Sequence, residues 1–588
     1  MIFTKRIFLM LVFVFSFDFA NAQAPQVTSV TPARQVINAP RNVQLVVVFN
    51  TALNPQTVND STFRVWGKLS GPVTGTYQIE NGNTQIRFTP TVPFLVGEWV
   101  TVSLSKGIKS QNNIPMNLGF NWNFWTKCET GTLNQTLIRT IPVRRQGEGL
   151  IQCYGAYGCD LNDDGKTDLA VVNEVSRDFR VFLNNGTNFD TMYSIFTIPQ
   201  GSFPSPSEGA DFNHDGILDI VIGNAGNNVM SLFIGTGGAN YMPGVSHTAG
   251  TNVRGLGIAD LNGDGYDDVV SANRGASTIS LFRNLGNGTF TPAVNINTVG
   301  NGETGIMITD ANNDGIQDAF VCCFSSQEII LMLGDGNGSM TFSSRSGLTG
   351  SPWAVATGDF NGDGNADIAA ALSNVNRIGV IMGNGSGGLG SVTTYNSGGF
   401  PLAIDAGDLD GDGDLDIVSS NFSGGNFSVF RNNGNGTFTN VLTLPASNAG
   451  SCITMHDRDN DGDLDMAGID EVDDLLFIFD NNPSIGIEII SSEIPSSFKL
   501  EQNYPNPFNP ITNFEFKIAN FGFVKLVVYD VLGREASVPV KEELKPGIYK
   551  VEWDGSNYPS GVYYYQLSII NSQLSIEYKE TRKMVLIK

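Results

Sequence analysis

A nine-residue pattern, D-x-[ND]-x-D-G-x-x-D, occurs seven times in this 588-residue chain and restricts its fold more than any other feature. It reads DLNDDGKTD from Asp160, DFNHDGILD from Asp211, DLNGDGYDD from Asp260 and DANNDGIQD from Asp310. It continues as DFNGDGNAD from Asp359, DLDGDGDLD from Asp408 and DRDNDGDLD from Asp457. Successive first aspartates lie 51, 49, 50, 49, 49 and 49 residues apart. A five-position match at so constant a period marks an internal repeat, each unit being one supersecondary module.

The spacing within the pattern suits an oxygen-ligated cation. Ca²⁺ takes about six to eight oxygens at roughly 2.3–2.6 Å. Side chains at positions 1, 3, 5 and 9 converge if the backbone folds tightly around one point, and the glycine at position 6 permits that turn. The candidate side-chain ligands are Asp160, Asn162, Asp164 and Asp168 in the first copy, and Asp211, Asn213, Asp215 and Asp219 in the second. They are Asp260, Asn262, Asp264 and Asp268 in the third, and Asp310, Asn312, Asp314 and Asp318 in the fourth. The fifth offers Asn361 with Asp359, Asp363 and Asp367; the sixth offers Asp408, Asp410, Asp412 and Asp416; the seventh offers Asp457, Asp459, Asp461 and Asp465. Position 7 adds a backbone carbonyl, from Lys166, Ile217, Tyr266, Ile316, Asn365, Asp414 and Asp463 in turn. An EF-hand opens the same way but closes with Glu at position 12 between two helices. Here the closing acid stands at position 9 and the flanks, LGIA and DVVSAN in the third copy, are strand-like.

The charge distribution agrees. Positions 1, 3, 5 and 9 hold 23 of the 58 acidic residues, and the remaining 35 nearly match the 34 Lys and Arg. The formal charge of −24 is therefore concentrated in the loops, and seven Ca²⁺ would bring it to −10. Solvated Asx-rich turns without metal are the alternative, and they leave clustered carboxylates repelling one another. An acidic chain with no visible basic face does not suit nucleic acid.

Each repeat also carries four β segments; in the third they cover 255–259, 269–273, 278–284 and 290–296, the last pair joined by the turn LGNGT. Four strands per unit of about 40–50 residues read as a propeller blade, with a linear solenoid as the competing architecture. The last repeat stops after 475–482 without an outer strand, while LNQTLIRTIPV, 133–143, stands before the first loop as an orphan strand. Surplus at the start fits deficit at the end, and a closed ring leaves no open end face. The expectation is an all-β chain: a seven-bladed β-propeller over 131–482, flanked by two small Ig-like β-sandwich domains.

These repeats resemble the VCBS/FG-GAP family, the repeat of integrin α-chain propellers and of many bacterial secreted proteins. The resemblance implies calcium in the loop joining the first and second strands of each blade, with all loops on one face. Every repeat here carries the loop, which points to a rigidifying role.

The flanks have their own signatures. Residues 1–22 read as a signal peptide: Lys5 and Arg6, an apolar run from Ile7 to Phe17, then Ala20-Asn21-Ala22. Residues 24–127, with VQLVVVF, TQIRFTP and WVTVSL between turns, resemble a bacterial Ig-like domain and read as a spacer. A linker is expected over 483–497. Residues 498–588, from FKLEQNYPNPFNP through VKLVVYDVLGRE to KMVLIK, resemble the C-terminal sorting domain of the type IX secretion system. That resemblance implies handling by the secretion machinery and release or attachment outside the cell. No later segment is long and apolar enough for a transmembrane helix.

No catalytic constellation is visible. His214, His247 and His456 pair with no nucleophile or metal spacing. Of six cysteines, Cys153 and Cys159 would stand about 20 Å apart along one extended strand. Free buried thiols are expected, with a closing Cys153–Cys452 bridge left open. Function then falls to the ring end opposite the loops. Six residues before each loop stand Tyr154, Ser205, Arg254, Thr304, Trp353, Leu402 and Ser451, of which Tyr154, Arg254 and Trp353 suit a glycan or peptide ligand. The expected function is non-enzymatic recognition of a glycan or protein; a lyase-like polysaccharide-processing enzyme and a ligand-free spacer are the alternatives.

Overall fold

The computed structural model describes residues 23–131, 133–186, 188–199, 203–481, 488–491, 495–555, 558–570 and 576–588. The segment read as a signal peptide lies outside them. The described residues form an all-β structure whose only helical turns are the 3₁₀ segments Pro55–Thr57 and Ser373–Val375. The chain divides after Asn481 into two compact units.

Within the first unit each of the first six repeats makes one four-stranded antiparallel sheet in sequence order, the second with an extra hairpin, Gly235–Gly237 with Asn240–Tyr241, before its outer strand. The third consists of Val253–Ala259, Asp268–Asn273, Thr278–Phe282 and Val294–Asn297. Its outer strand begins later than the sequence suggested. Gly286 and Gly288 take positive φ in the turn, a lone Asn284–Phe290 bridge follows, and Phe290 turns into the core. Second strands are buried at every residue, as in Asp219–Asn224 and Asp367–Leu372, because neighbouring sheets cover both faces. Outer strands such as Ser194–Thr197 face solvent and need no such apolar run.

The seventh sheet draws its outer strand from the start of the unit: Thr136–Pro142 pairs antiparallel with Leu475–Asp480. First strands of successive sheets touch, and the last of them, Gly450–His456, touches the first, Cys153–Cys159. Ile141, Leu169, Val171 and Phe182 share one apolar core with Ala467, Ile469 and Ile478 across that seam. A repeated bond makes the closure exact in register. Asn284 Nδ2 donates to the Phe212 carbonyl (2.8 Å), Asn432 to Phe360 (2.9 Å) and Asn481 to Leu409 (2.6 Å), each reaching back one sheet over 72 residues. Asn184 makes the same bond to the Arg458 carbonyl at 2.8 Å, across 274 residues.

The Ig-like segment is two four-stranded sheets around a core that includes Phe63, Phe88, Trp122 and Phe124. It packs against the repeats through backbone hydrogen bonds. It seats on the loop end of the ring: the backbone N–H groups of Asn121 and Lys106 donate to the carbonyls of Gly315 and Gly263, and Glu129, just beyond the domain, donates to Gly462, each at 2.7 Å. Asp160 N–H returns a bond to the Leu69 carbonyl at 2.7 Å. Trp99 and Trp125, stacked at 5.6 Å, pack against Phe360, Ala406 and Leu415. Lys68 reaches Asp405 at 2.7 Å, and beneath it lies a cavity of about 160 Å³ lined by Tyr157, Glu208, Ile258 and Met307 among others.

The second unit is a pair of four-stranded sheets around Phe514, Phe516, Val551, Trp553 and Tyr565. Part of the expected linker belongs to it: Glu488–Ser491 pairs antiparallel with Gly547–Asp554, covering what would otherwise be an open sheet edge. Residues 483–487 and 492–494 of that linker lie outside the described residues.

Replacing Asn184 by Ala removes donors to two carbonyls, Thr167 at 3.2 Å and Arg458 at 2.8 Å, in a residue only 1% exposed. Urea unfolding of the variant should show a loss of about 1–3 kcal/mol, the cost of leaving buried acceptors unmet.

Candidate metal loops and the opposite end of the ring

All seven loops fold by one hydrogen-bonding scheme. Glycine at position 6 takes φ between 81° and 104°, a region closed to most side chains. Its N–H donates to Oδ2 of the position 1 aspartate at 2.7–3.2 Å. The position 7 N–H donates to Oδ1 of position 5 at 2.8–3.2 Å. The chain thus wraps around its own carboxylates. At Gly315 the glycine serves twice, since a Cβ there would stand 2.3 Å from the Phe120 ring of the seated Ig-like domain.

Position 9 does more than the ligand pattern suggests. Its Oδ2 accepts the N–H of position 2 at 2.9–3.3 Å. Its Oδ1 accepts an N–H sixteen residues further on, at the end of the third strand, at 2.7–2.9 Å. One carboxylate therefore ties the loop to the sheet. The asparagines that lock adjacent sheets stand at that same point, and their recurrence in FLNNG, FRNLG, FRNNG and FDNN was the signal for them.

Burial falls off steeply across each loop. Position 9 is 0–1% exposed throughout, position 1 is buried in six loops, and position 5 is exposed in all seven. Burial, reinforced by neighbouring loop carboxylates, raises the position 9 acids far above the ordinary range. Asp168, Asp219, Asp318 and Asp367 rise to about 7, and Asp268 and Asp416 to about 8. At position 1, Asp260, Asp408 and Asp457 rise to about 7 and Asp310 to about 6 for the same first cause. Carboxylate oxygens of Asp408, Asp410 and Asp416 lie within 4.8 Å of one another, as do those of Asp457, Asp459 and Asp465. Asp408 Oδ1, Asp457 Oδ1 and Asn162 Oδ1 are buried without a hydrogen-bond partner. An oxygen-only, acid-rich cradle with unmet buried acceptors fits a hard divalent cation.

The loops are not equivalent. Arg34 stands 3.3 Å from Asp310, Arg64 3.8 Å from Asp211, Arg458 2.7 Å from Asp459 and Lys166 2.9 Å from Asp164. Two of these cations come from the Ig-like domain, so its seating and the charge state of the loops are linked.

At the other end of the sheets, Tyr154, Arg254 and Trp353 come together across the ring axis. Trp353 Nε1 donates to the Tyr154 hydroxyl at 3.0 Å, and Arg254 stacks over the Tyr154 ring at 5.9 Å. Arg254 also pairs with Glu174 and donates to Ser205, both at 3.1 Å. Thr304 instead bonds the Pro352 carbonyl at 2.9 Å, and Leu402 and Ser451 are buried. The sequence reading missed the residues just after each second strand, here Glu174, Arg274, Phe324, Phe422 and Glu471, because only the folded sheet places them at this end. Gln152 Nε2 donates to both Glu174 (3.3 Å) and Glu471 (2.7 Å).

The histidines join neither site as an acid or base. His214 stacks on Tyr266 at 4.2 Å beside Arg64, with burial holding it down to about 4. His247 meets the Phe290 ring edge-on, and His456 is fully buried and held down to about 3 by desolvation. All six cysteines are free thiols, including Cys153 and Cys452.

Comparison with known proteins places these parts in families. A bacterial Ig-like domain matches residues 21–126. An FG-GAP-like repeat matches 160–222, 211–271, 260–321, 310–370, 359–419 and 408–468, each window running from one loop to the next and together spanning just over half the chain. A secretion system C-terminal sorting domain matches 502–582, which marks the chain for type IX secretion and a cell-surface or extracellular destination. No described helix is long and apolar enough to cross a membrane. No curated protein matches the chain. Among solved structures, a functionally unknown protein from Desulfotomaculum acetoxidans is 13% identical, covering 64% of this chain and 97% of its own at a TM-score of 0.37. A periplasmic gluconolactonase from Pseudomonas aeruginosa is likewise 13% identical, covering 66% and 97% at a TM-score of 0.39. Likeness this weak carries nothing about function. The chain belongs to the FG-GAP-like repeat family, its repeats preceded by a bacterial Ig-like domain and followed by a secretion system C-terminal sorting domain.

Proposed function

We propose that the seven sheets form a seven-bladed β-propeller whose loops hold calcium, and that the secreted or surface-attached protein recognises a glycan or another protein through the loop-free end of the ring. The blade count is supported by seven sheets in one circuit of contacts and by the seam bond of Asn184. Calcium is supported above all by the hydrogen-bonding scheme common to the seven loops, and by the unmet, buried carboxylate oxygens and clustered acids of the sixth and seventh. Side chains at positions 1, 3, 5 and 9 and the position 7 carbonyl would hold it. When bound, it supplies the positive charge that lets buried carboxylates stay ionised. The chain's own part is to fix the loop by the position 1 and position 9 hydrogen bonds before any ion enters.

Recognition is supported by the gathering of Tyr154, Arg254 and Trp353, from three different sheets, at one end of the axis. Aromatic faces beside a cation suit stacking and hydrogen bonding to a sugar or peptide. A second reading, a polysaccharide-processing enzyme, draws on Glu174 and Glu471, two carboxylates sharing the Gln152 amide beside Tyr154.

The calcium reading has a signed pH test. Without metal, loop aspartates raised to about 7–8 hold protons that the unfolded chain has already lost. Stability in chelator should therefore be greatest near pH 4 and fall as pH rises through 7–8. With excess calcium the slope should flatten or reverse, each loop filled at a hundredfold excess over its dissociation constant adding about 2.7 kcal/mol. Melting curves at several pH values in chelator and in calcium check this; identical curves in both contradict it.

A glycan and peptide screen on the full chain, run beside turnover assays on polysaccharides, tests recognition. Saturable binding without product, weakened in a Trp353→Ala variant that still melts cooperatively above the assay temperature, is expected. Product formation that is lost in Glu471→Gln would favour the enzyme, and neither binding nor product would leave a spacer.

A further inference from the structure

Arg274 follows the second strand of the third sheet, and its guanidinium carbon lies 4.8 Å from the ring centroids of both Phe324 and Trp353. Those rings meet edge-on at 5.4 Å. The aromatic row continues from Trp353 to Phe400 at 6.5 Å and from Phe400 to Phe422 at 6.4 Å. All five side chains belong to partly exposed residues. Arg254 is neutralised by Glu174, but among the described residues no carboxylate stands within ion-pair distance of Arg274. Burial holds its guanidinium below the usual range, and the like charge of Arg254 works in the same direction, opposed by Tyr154. A chain with 58 acidic residues thus leaves a half-desolvated cation without one. Such a charge is costly to hold unless something else supplies the anion.

The chemistry of that partner can be read from the surroundings. A guanidinium fork matches the two oxygens of a carboxylate or sulfate, while flat aromatic faces take the apolar face of a sugar ring. A row of rings from adjacent sheets offers more than one such face. We propose that this end of the ring binds an acidic saccharide, with its carboxylate or sulfate on Arg274 and its sugar rings along Trp353, Phe400 and Phe422. The inference rests on the recognition reading and narrows it to one ligand class.

The test is calorimetric titration of the full chain, in constant excess calcium, with a panel of short uronic-acid and sulfated oligosaccharides that includes oligogalacturonate. The fully methyl-esterified oligogalacturonate and a poly-glutamate peptide serve as controls. At least one anionic saccharide should bind, and Arg274→Gln should weaken it about tenfold or more, the worth of one charge-assisted contact. Arg274→Lys should keep part of that affinity, and both variants should remain folded at the titration temperature. If the ligand is a uronate, the methyl ester should bind about as weakly to wild type as the acid does to Arg274→Gln; preference between the two series identifies carboxylate or sulfate. Binding of a saccharide that needs Trp353 but ignores both charge and Arg274 would overturn this proposal and leave the recognition reading standing. No binding by any anionic saccharide, or binding of the acidic peptide alone, would also overturn it.

Discussion

Each repeat buries a carboxylate with both oxygens committed to the backbone, and the architecture depends on tolerating that charge. The position 9 aspartate accepts one N–H from its own loop and one from the end of the third strand. Those bonds aim the loop and fix the sheet, but they bring the acid to 0–1% exposure beside other acids. Desolvation and like-charge repulsion both oppose this, as the raised protonation ranges record. The cation we propose for each loop would remove both objections at once. Repeated seven times, it would spread the benefit around the whole ring rather than across one stretch of chain.

Closure and capping follow from the same economy. Strand Thr136–Pro142 completes the last sheet, so no sheet edge is left open at the seam. The Ig-like domain covers the loop end, satisfying loop carbonyls with its own backbone N–H groups and placing Arg34 and Arg64 near two loop aspartates. The other end keeps its aromatic and charged side chains partly exposed, and the recognition we propose would use them.

Much of this was legible in the sequence because the repeat is written in residues that cannot be exchanged. Asp at positions 1, 5 and 9 and Gly at position 6 carry geometry as well as chemistry, so the loop and the strands on either side could be read directly. The orphan strand was visible as a count that did not balance. What escaped the reading depends on contacts distant in sequence. Arg274 and Glu471 look like ordinary turn residues until the sheets are set side by side. The seating of the Ig-like domain rests on backbone groups of Asn121 and Lys106, which leave no side-chain signature. Strand Glu488–Ser491 was hidden in a short segment whose partner lies some sixty residues away.

The central claim is that the loop aspartates exist to hold ions. Counting metal by plasma mass spectrometry answers it most directly, on the full chain stripped with chelator, re-equilibrated in calcium and freed of unbound ion. About seven calcium per chain, one for each loop, is the predicted result, with one fewer when Asp260 and Asp268 are both replaced by Ala. A folded chain that emerges with no stoichiometric calcium would contradict the account.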